Sequence, residues 1–391
     1  MQRPLGEIFT AFLKLGLISF GGPVAHLGYF HEEFVVRRKW LNEEAYADLV
    51  ALCQFLPGPA SSQVVFALGL RRGGLPGGLI ASLCFTLPSA MLLILFALGV
   101  SSLGEIGNAG WLQGLKLAAV AVVAHAVVGM ATKLCPDWPR RTLALVLAAA
   151  LLSWPGVVGQ LGAIGIGATF GWIVYRRREK GNLPAPGPAA SRSGAIALTL
   201  FAILLIGLPF AAIWTDSAGL TVFDRFYRAG SLVFGGGHVV LPLLRAEVVP
   251  PGWIRDESFL AGYGAAQAVP GPLFTFAAYL GAGLEYGPSG WGGGLLCLVA
   301  IFLPALLLVG GALPFWELLR ARPEARAALT GTNAAVVGIL LAAFVNPVWM
   351  EGVRGAVHFG IALAAFAALT FAKAPSWLVV VGCAGVGAAL L

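Results

Sequence analysis

Five stretches of this chain contain no Asp, Glu, Lys or Arg at all: Gly73 to Gly104, Thr142 to Tyr175, Ser193 to Thr215, Tyr286 to Trp316 and Ala327 to Met350. At about 1.5 Å per helical residue, each is near or above the length needed to cross about 30 Å of hydrocarbon. Lipid satisfies no backbone N–H or C=O, so only helices and closed barrels span it. A barrel alternates apolar and polar residues in segments of about ten, whereas these runs are continuously apolar and rich in Leu, Ala and Gly. They predict spanning helices, and the chain reads as an all-α polytopic membrane protein. Only 11% of its 391 residues are charged, with a mean hydropathy of +0.85, against about 25% in soluble domains. Its 25 Lys and Arg against 18 Asp and Glu punctuate the apolar runs instead of forming a patch, so nucleic acid is not an expected partner.

The same arrangement speaks against an enzyme. Cys53, Cys84, Cys135, Cys297 and Cys383 show no CxxC spacing and no histidine at metal-ligand distance, so they read as packing residues. No HExxH, GxSxG or Walker-type loop is present, and neither a metal nor a cofactor is expected. The N-terminus has no small-residue cleavage site after a simple apolar run, which predicts no removable signal peptide.

An internal repeat organises the chain. FLKLGLISFGG from Phe12 matches FYRAGSLVFGG from Phe226, pairing Gly16 with Gly230 and Phe20-Gly21-Gly22 with Phe234-Gly235-Gly236. The match continues through Glu33 and Glu247, Trp40 and Trp253, and Glu44 and Glu257. It then pairs Gln54-x-x-Pro57-Gly58-Pro59 with Gln267-x-x-Pro270-Gly271-Pro272, and Leu87-Pro88 with Leu303-Pro304. Trp, Gln, Glu and PGP are not supplied by apolar composition, so this is a duplicated unit.

The expected organisation is an N-terminal transporter repeat (1–175), a linker (176–194), a connecting transmembrane helix (195–221) and a C-terminal transporter repeat (222–391). The basic, Pro/Gly/Ala-rich linker belongs in the cytoplasm by the positive-inside rule. Spans are expected near 78–100, 111–132, 142–154, 156–175, 195–214, 290–313, 327–348, 355–372 and 375–391. Segments 8–30 and 44–70 are broken by FGGP and PGP; as re-entrant hairpins they leave Arg37 to Lys39, Arg71 and Arg72 cytoplasmic. The extra helix at 195–214 then starts the second unit outside. The fold expected is two inverted-topology repeats whose broken or re-entrant helices meet near the midplane, the signature of a secondary transporter.

Proline removes a donor and glycine tolerates the turn, so each PGP interrupts a helix, and such breaks survive in a membrane only inside protein or beside a wet cavity. The half-helix after the break offers free N–H groups to an anion. Candidate substrate-binding residues are therefore Phe20, Gly21, Gly22, Gln54, Pro57, Gly58, Pro59, Ser61 and Ser62. Their counterparts in the second unit are Phe234, Gly235, Gly236, His238, Gln267, Pro270, Gly271, Pro272 and Thr275. The blander alternatives are a packing kink at each PGP, close helix contact at the FGG glycines, and interhelical hydrogen bonds for the two Gln. Lys14 and Arg228 share one repeat position and either raise the local potential or snorkel to the interface. Lys116 and Asn333 occupy parallel positions in the two halves.

FGGPVAHLGYFHEEFVVRRKWL, YADLVALCQFLPGPASSQVVFALGL, FGGGHVVLPLLRAEVVPPGW and GYGAAQAVPGPLFTFAAYLGA resemble the signature segments of the two-domain chromate ion transporter family. The resemblance covers roughly residues 5 to 100 and 222 to 345. It implies efflux of chromate, with sulfate as a related dianion, across the bacterial cytoplasmic membrane. The partners it implies are a small inorganic oxyanion and the lipid bilayer, and it leaves a homodimer open. A transporter of another inorganic anion or a small anionic metabolite would share every feature except this match.

Overall fold

In a computed structural model of the chain, the residues described are 4–19, 22–102, 110–154, 157–176, 192–234, 239–316 and 322–391. Among them every regular element is helical. The first half comprises α1 (Pro4–Ile18), α2 (Gly22–His31, continued by a π-helical turn Glu32–Arg37), α3 (Glu43–Phe55), α4 (Ala60–Ser102), α5 (Gly110–Leu134), α6 (Trp138–Ser153) and α7 (Val157–Tyr175). The connecting helix is α8 (Arg192–Thr215). The second half comprises α9 (Ala218–Ser231), α10 (Val240–Val248), α11 (Asp256–Ala266), α12 (Phe276–Ala282), α13 (Gly290–Ala312), α14 (Pro323–Ala343), α15 (Ala356–Thr370) and α16 (Ser376–Leu390).

Among the described residues, six helices are long and apolar enough to cross a membrane: those in α4, α5, α7, α8, α13 and α14. The expected spans near 142–154, 355–372 and 375–391 are shorter, as α6 has 16 residues and α15 and α16 have 15 each. The span expected to reach 348 is helical to Ala343 and then passes into a π-helical turn, where Asn346 leaves helical geometry just before Pro347.

α4 is not one straight rod. Gly73 and Gly74 depart from helical geometry, Gly74 at a φ of 64°, and the 60–72 leg folds back along the 75–102 leg. A Cβ at Gly69 would lie 2.4 Å from the Gly77 carbonyl oxygen, and one at Gly78 would lie 2.8 Å from the Phe66 ring.

Ion pairing shows where the broken segments end. Glu7 Oε2 accepts from Arg72 Nη2 at 2.9 Å, and Glu7 Oε1 accepts from Arg38 Nη1 at 3.2 Å and from Trp40 Nε1 at 3.1 Å. Glu7 precedes the first broken segment, Arg38 and Trp40 separate the two, and Arg72 follows the second. Each segment therefore returns to the end at which it started, as a re-entrant hairpin does. The second half repeats this arrangement. Arg225 donates to the Glu247 carbonyl at 2.8 Å, the Glu285 N–H donates to the Trp253 carbonyl at 2.9 Å, and Trp253 stacks on Tyr286 with centroids 4.7 Å apart.

These two ends lie at opposite poles. Near the start of α13, a Cβ at Gly294 would lie 2.7 Å from Ile94, late in α4. Near the end of α13, a Cβ at Gly310 would lie 3.4 Å from Phe66, which itself lies against Gly78 at the start of the long α4 leg. The long leg of α4 and α13, which carry the matched Leu-Pro pairs, thus run antiparallel.

The last two helices of each half pack on the other half. α7 and α6 lie against α14, and α16 and α15 against α5. The seams are close: a Cβ at Gly331 of α14 would lie 2.0 Å from the Gly167 carbonyl oxygen, and one at Gly114 of α5 would lie 2.1 Å from that of Cys383.

Candidate functional site

The two PGP turns face each other's half. Gly58 and Gly271 have φ of 117° and 100°, in the left-handed region that favours glycine. The Gly58 N–H donates to the Val233 carbonyl at 2.6 Å, and the Gly271 N–H donates to the Ser19 carbonyl at 2.8 Å. Ser19 and Val233 are repeat equivalents, each immediately preceding its FGG. Each glycine also abuts the residue after the opposite half's Leu-Pro. A Cβ at Gly58 would lie 3.0 Å from Ala305 Cβ, and one at Gly271 would lie 2.8 Å from Ser89 Oγ. The breaks are thus braced crosswise by backbone hydrogen bonds. Both glycine amides are spent in these bonds, so the N–H groups expected to be free are those of the half-helices after the breaks.

Donors remain one turn further on. At the start of α4 the first backbone bond is Gln63 N–H to the Pro59 carbonyl at 3.0 Å, which leaves the amides of Ala60, Ser61 and Ser62 without an intrahelical partner. The Gln63 side chain folds back so that Nε2 donates to the Pro57 carbonyl at 2.8 Å. Ser61, Ser62 and Gln63 are buried, and Ser62 Oγ and Gln63 Oε1 have no hydrogen-bond partner among the described residues.

The second break is built otherwise. Phe274, Thr275 and Phe276 stand at the repeat positions of Ser61, Ser62 and Gln63. Leu273–Thr275 form a 3-10 turn, and Thr275 Oγ1 donates to its own turn at the Pro272 carbonyl, 2.7 Å away. Phe274 packs against Phe302, and Phe276 against Phe259 and Tyr263.

Sequence reading missed two polar residues beside these breaks. His26 Nε2 donates to the Ser19 carbonyl at 3.1 Å, and its ring meets Phe85 edge-on at 5.4 Å. His26 Nδ1 and Ser19 Oγ, both buried, have no partner among the described residues. The signal in the sequence is a mismatch within the repeat, where Ser19 and His26 face Val233 and Val240.

Among the remaining candidates, Pro57 is half-buried, Pro59, Pro270 and Pro272 are buried, and Gly22 begins α2. Phe234 is half-buried at the edge of the described residues, whereas Phe20, Gly21, Gly235, Gly236 and His238 lie outside them. Gln54 and Gln267, matched in the repeat, differ in setting: the first is exposed on α3, whereas Gln267 is buried and its Nε2 has no partner among the described residues.

Lys14 and Arg228 are not deep, isolated cations. Lys14 is 47% exposed and lies 3.5 Å from Glu33, and Arg228 pairs with Asp224. Glu33 also takes Arg37 and Arg38 at 2.7 Å. Burial alone would raise its pKa, but the Arg38 hydrogen bond and the charges of Lys14 and Arg37 hold it below the ordinary carboxylate value. Its counterpart Glu247 has Arg225 at 3.6 Å, and there burial wins and pushes the carboxyl up. Lys116, 2% exposed on α5, reaches across the halves to within 3.8 Å of Glu257, which also takes Arg354 at 3.2 Å. Asn333 is half-buried on α14.

A cleft of about 520 Å³ opens between the α6–α7 pair and α10 with α14, lined by Gln160, Arg245 and Asn346 among apolar side chains. Among the described residues, no group of three or more His, Cys, Asp or Glu is placed to hold a metal ion.

The family whose model matches this sequence is described as Chromate transporter, and the match covers residues 6–172 and 220–388. Among curated proteins, a chromate transport protein of Pseudomonas aeruginosa is 31% identical over 342 residues, covering 85% of this chain and 79% of the relative. A chromate transport protein of Cupriavidus metallidurans is 28% identical over 397 residues, covering 98% and 92%. An uncharacterized transporter of Methanocaldococcus jannaschii is 26% identical over 350 residues, covering 86% and 82%. No solved structure matches the chain.

Proposed function

The chain belongs to the chromate transporter family, whose model matches both of its halves, and from that premise we propose that it exports chromate through the bacterial cytoplasmic membrane as a secondary transporter. Members of this family are transporters and not enzymes. The anion is held near the midplane at a half-helix N-terminus where the PGP and FGG breaks of the two halves meet, with sulfate-like dianions as related substrates. The observation that carries this reading is the crosswise bracing of the two PGP turns, which sets a helix start with bare amides and hydroxyls at the junction of the halves.

The two halves act as inverted repeats, 1–175 and 222–391, joined by a cytoplasmic linker and the connecting helix. The antiparallel run of the long α4 leg and α13, and the return of each broken segment to its own pole, support this topology. The pole of Glu7 and Arg72 is then cytoplasmic and that of Trp253 and Glu285 external. With the inside negative, each charge moved outward gains about 2.3 kcal/mol per 100 mV, so a dianion gains about 4.6 kcal/mol. At about 1.4 kcal/mol per tenfold, this sustains a gradient on the order of a thousandfold.

Uptake of labelled chromate into inverted vesicles, with the potential and the pH gradient collapsed separately, tests the transport reading. Loss of uptake when the potential is collapsed is the expected result; uptake indifferent to both collapses would overturn it. Single cysteines at Arg71 and Glu285 test the topology. The five native cysteines are buried, so background labelling is low, and an impermeant reagent should reach the two sites from opposite faces. Labelling of both from one face would sink the inverted arrangement.

A further inference from the structure

We propose that the chain holds one anion at a time, at the start of α4 alone, and that the second break braces this site without binding. The inference rests on the anion-transport reading and narrows where within it the substrate sits.

Three features of the first break converge on a ligand. The amides of Ala60, Ser61 and Ser62 have no intrahelical acceptor, and they open a thirteen-residue helical leg, 60–72. Helix starts of this kind carry a partial positive charge directed at an anion. Ser61, Ser62 and Gln63 are 2%, 3% and 0% exposed, yet Ser62 Oγ and Gln63 Oε1 find no partner among the described residues. A buried polar atom left bare is costly and in a native protein signals a missing partner. The Gln63 head is fixed at the turn through Pro57, and its Nε2 lies 3.0 Å from where a Gly58 Cβ would be. Its amide head therefore holds the shape of the break itself, leaving Ser62 Oγ and the free amides as the donors there.

The second break matches these only in part: the amides of Leu273 and Phe274 precede its first backbone bond, and Gln267 Nε2 is buried without a partner among the described residues, but on the residue that ends α11, ahead of the turn. Its 3-10 turn leads into a helix of seven residues. Its one hydroxyl, on Thr275, is bonded to Pro272. Phe274 and Phe276 fill the places of Ser61 and Gln63 and are themselves fully buried in apolar packing. A dianion there would meet aromatic carbon where the first break offers amides and hydroxyls. What the second break does supply is the Gly271 N–H, which anchors Ser19 at 2.8 Å and so ties the end of α1 to the second half. The ligand class is a compact tetrahedral oxyanion held by neutral dipoles. Ser62 is the hydroxyl donor, and Gln63, whose free oxygen can only accept and so cannot hold a dianion, shapes the turn through its Nε2 bond to Pro57.

Equilibrium dialysis of the full-length protein in detergent against labelled chromate, repeated with sulfate and molybdate, reads both stoichiometry and affinity. One anion per chain is expected. Ser62→Ala should weaken binding by about tenfold or more, the loss of one hydrogen bond to a charged group. Ser62→Thr, which keeps a hydroxyl, should recover most of that loss, and Thr275→Ala should stay within about twofold of the wild type. Recovery by Thr separates a lost donor from a damaged fold. Two anions per chain, or equal losses in Ser62→Ala and Thr275→Ala, would overturn the single-site proposal and leave anion transport standing. Wild-type protein that binds none of the three anions would overturn both.

Discussion

Ser19, His26, Ser61, Gln63 and Ser89 of the first half occupy the positions that Val233, Val240, Phe274, Phe276 and Ala305 fill in the second. The backbone around them is nevertheless matched, down to reciprocal amide bonds of 2.6 and 2.8 Å. A main-chain brace needs a glycine that can turn and a carbonyl to receive its N–H, and it is indifferent to the side chains beside it. Duplicated units can therefore keep a common scaffold while only one retains the polar groups. The poles show the same divergence, since Glu33 is gripped by three cations and held low while Glu247 is pushed up by burial.

The comparison breaks most easily at the glycines. Gly58→Val and Gly271→Val each add a Cβ at positive φ, a strain of about 1 to 3 kcal/mol, and direct it into Ala305 or Ser89. Each single variant should abolish vesicle transport while membrane insertion persists, because the brace is symmetric even where the chemistry is not. Normal transport in either variant would show that one brace is dispensable.

The carboxylates at the poles should respond in opposite senses. A depressed pKa means that the Glu33 carboxylate stabilises the fold above the ordinary carboxylate range, and that this contribution is lost as pH falls through it. Glu33→Gln should therefore cost about 1 to 3 kcal/mol near neutral pH, with the deficit shrinking in acid. A raised pKa means that ionised Glu247 opposes folding as pH climbs, so Glu247→Gln should be neutral or stabilising near pH 7. Thermal unfolding of both variants in one detergent, from pH 8 down to about 3, decides the matter, and equal destabilisation would erase the contrast.

A smaller difference lies at the first of each half's last two helices. Asp137 caps α6, accepting from the Arg140 N–H at 3.0 Å, and the Arg140 side-chain hydrogen bonds come first among the causes that hold its carboxyl down at about 2. α15 starts at Gly355 with no side-chain cap. Asp137→Ala should cost about 1 kcal/mol in the same unfolding assay. The cost should be constant from pH 8 to 5 and fall away only in strong acid, as protonation removes the ion pair from the wild type. A Gly355→Asp variant that fails to gain stability would show that geometry, and not the missing side chain, limits that end.

The smallest effect is expected where the sequence invited the largest. Lys14→Gln and Arg228→Gln each remove a partly exposed member of an ion pair, worth about 0 to 1 kcal/mol, and should change chromate affinity less than twofold. A greater loss for dianions than for monoanions would restore a long-range field to these residues.

Apolar runs, the duplicated unit and the two PGP interruptions were legible in the residues because each depends on local chemistry: hydrocarbon length, proline without a donor, glycine in a turn. Partners across the molecule were not. Gln54 and Gln267 share a motif, yet one is exposed and the other buried, since a repeat fixes equivalence and not what lies opposite. The crosswise bonds of Gly58 and Gly271 involve carbonyls, which every residue carries and no sequence pattern marks. Lys14 and Arg228 read as deep from their place in the repeat, whereas Glu33, the partner of Lys14, comes from the far end of the same broken segment and Asp224, the partner of Arg228, lies one turn earlier on the same helix.

The exchange of terminal helices has an ancestral implication. α5 is covered by α15 and α16 from the opposite half, and α14 by α6 and α7, so a polypeptide holding one unit alone could not enclose itself. If the halves are inverted as proposed, such a polypeptide would need a second copy inserted in the reverse sense to cover these faces. Gene fusion through an added crossing helix would then have made a permanent couple of two chains that already depended on each other. Freed from being identical, the partners could specialise, one keeping the hydroxyls and the other becoming wall.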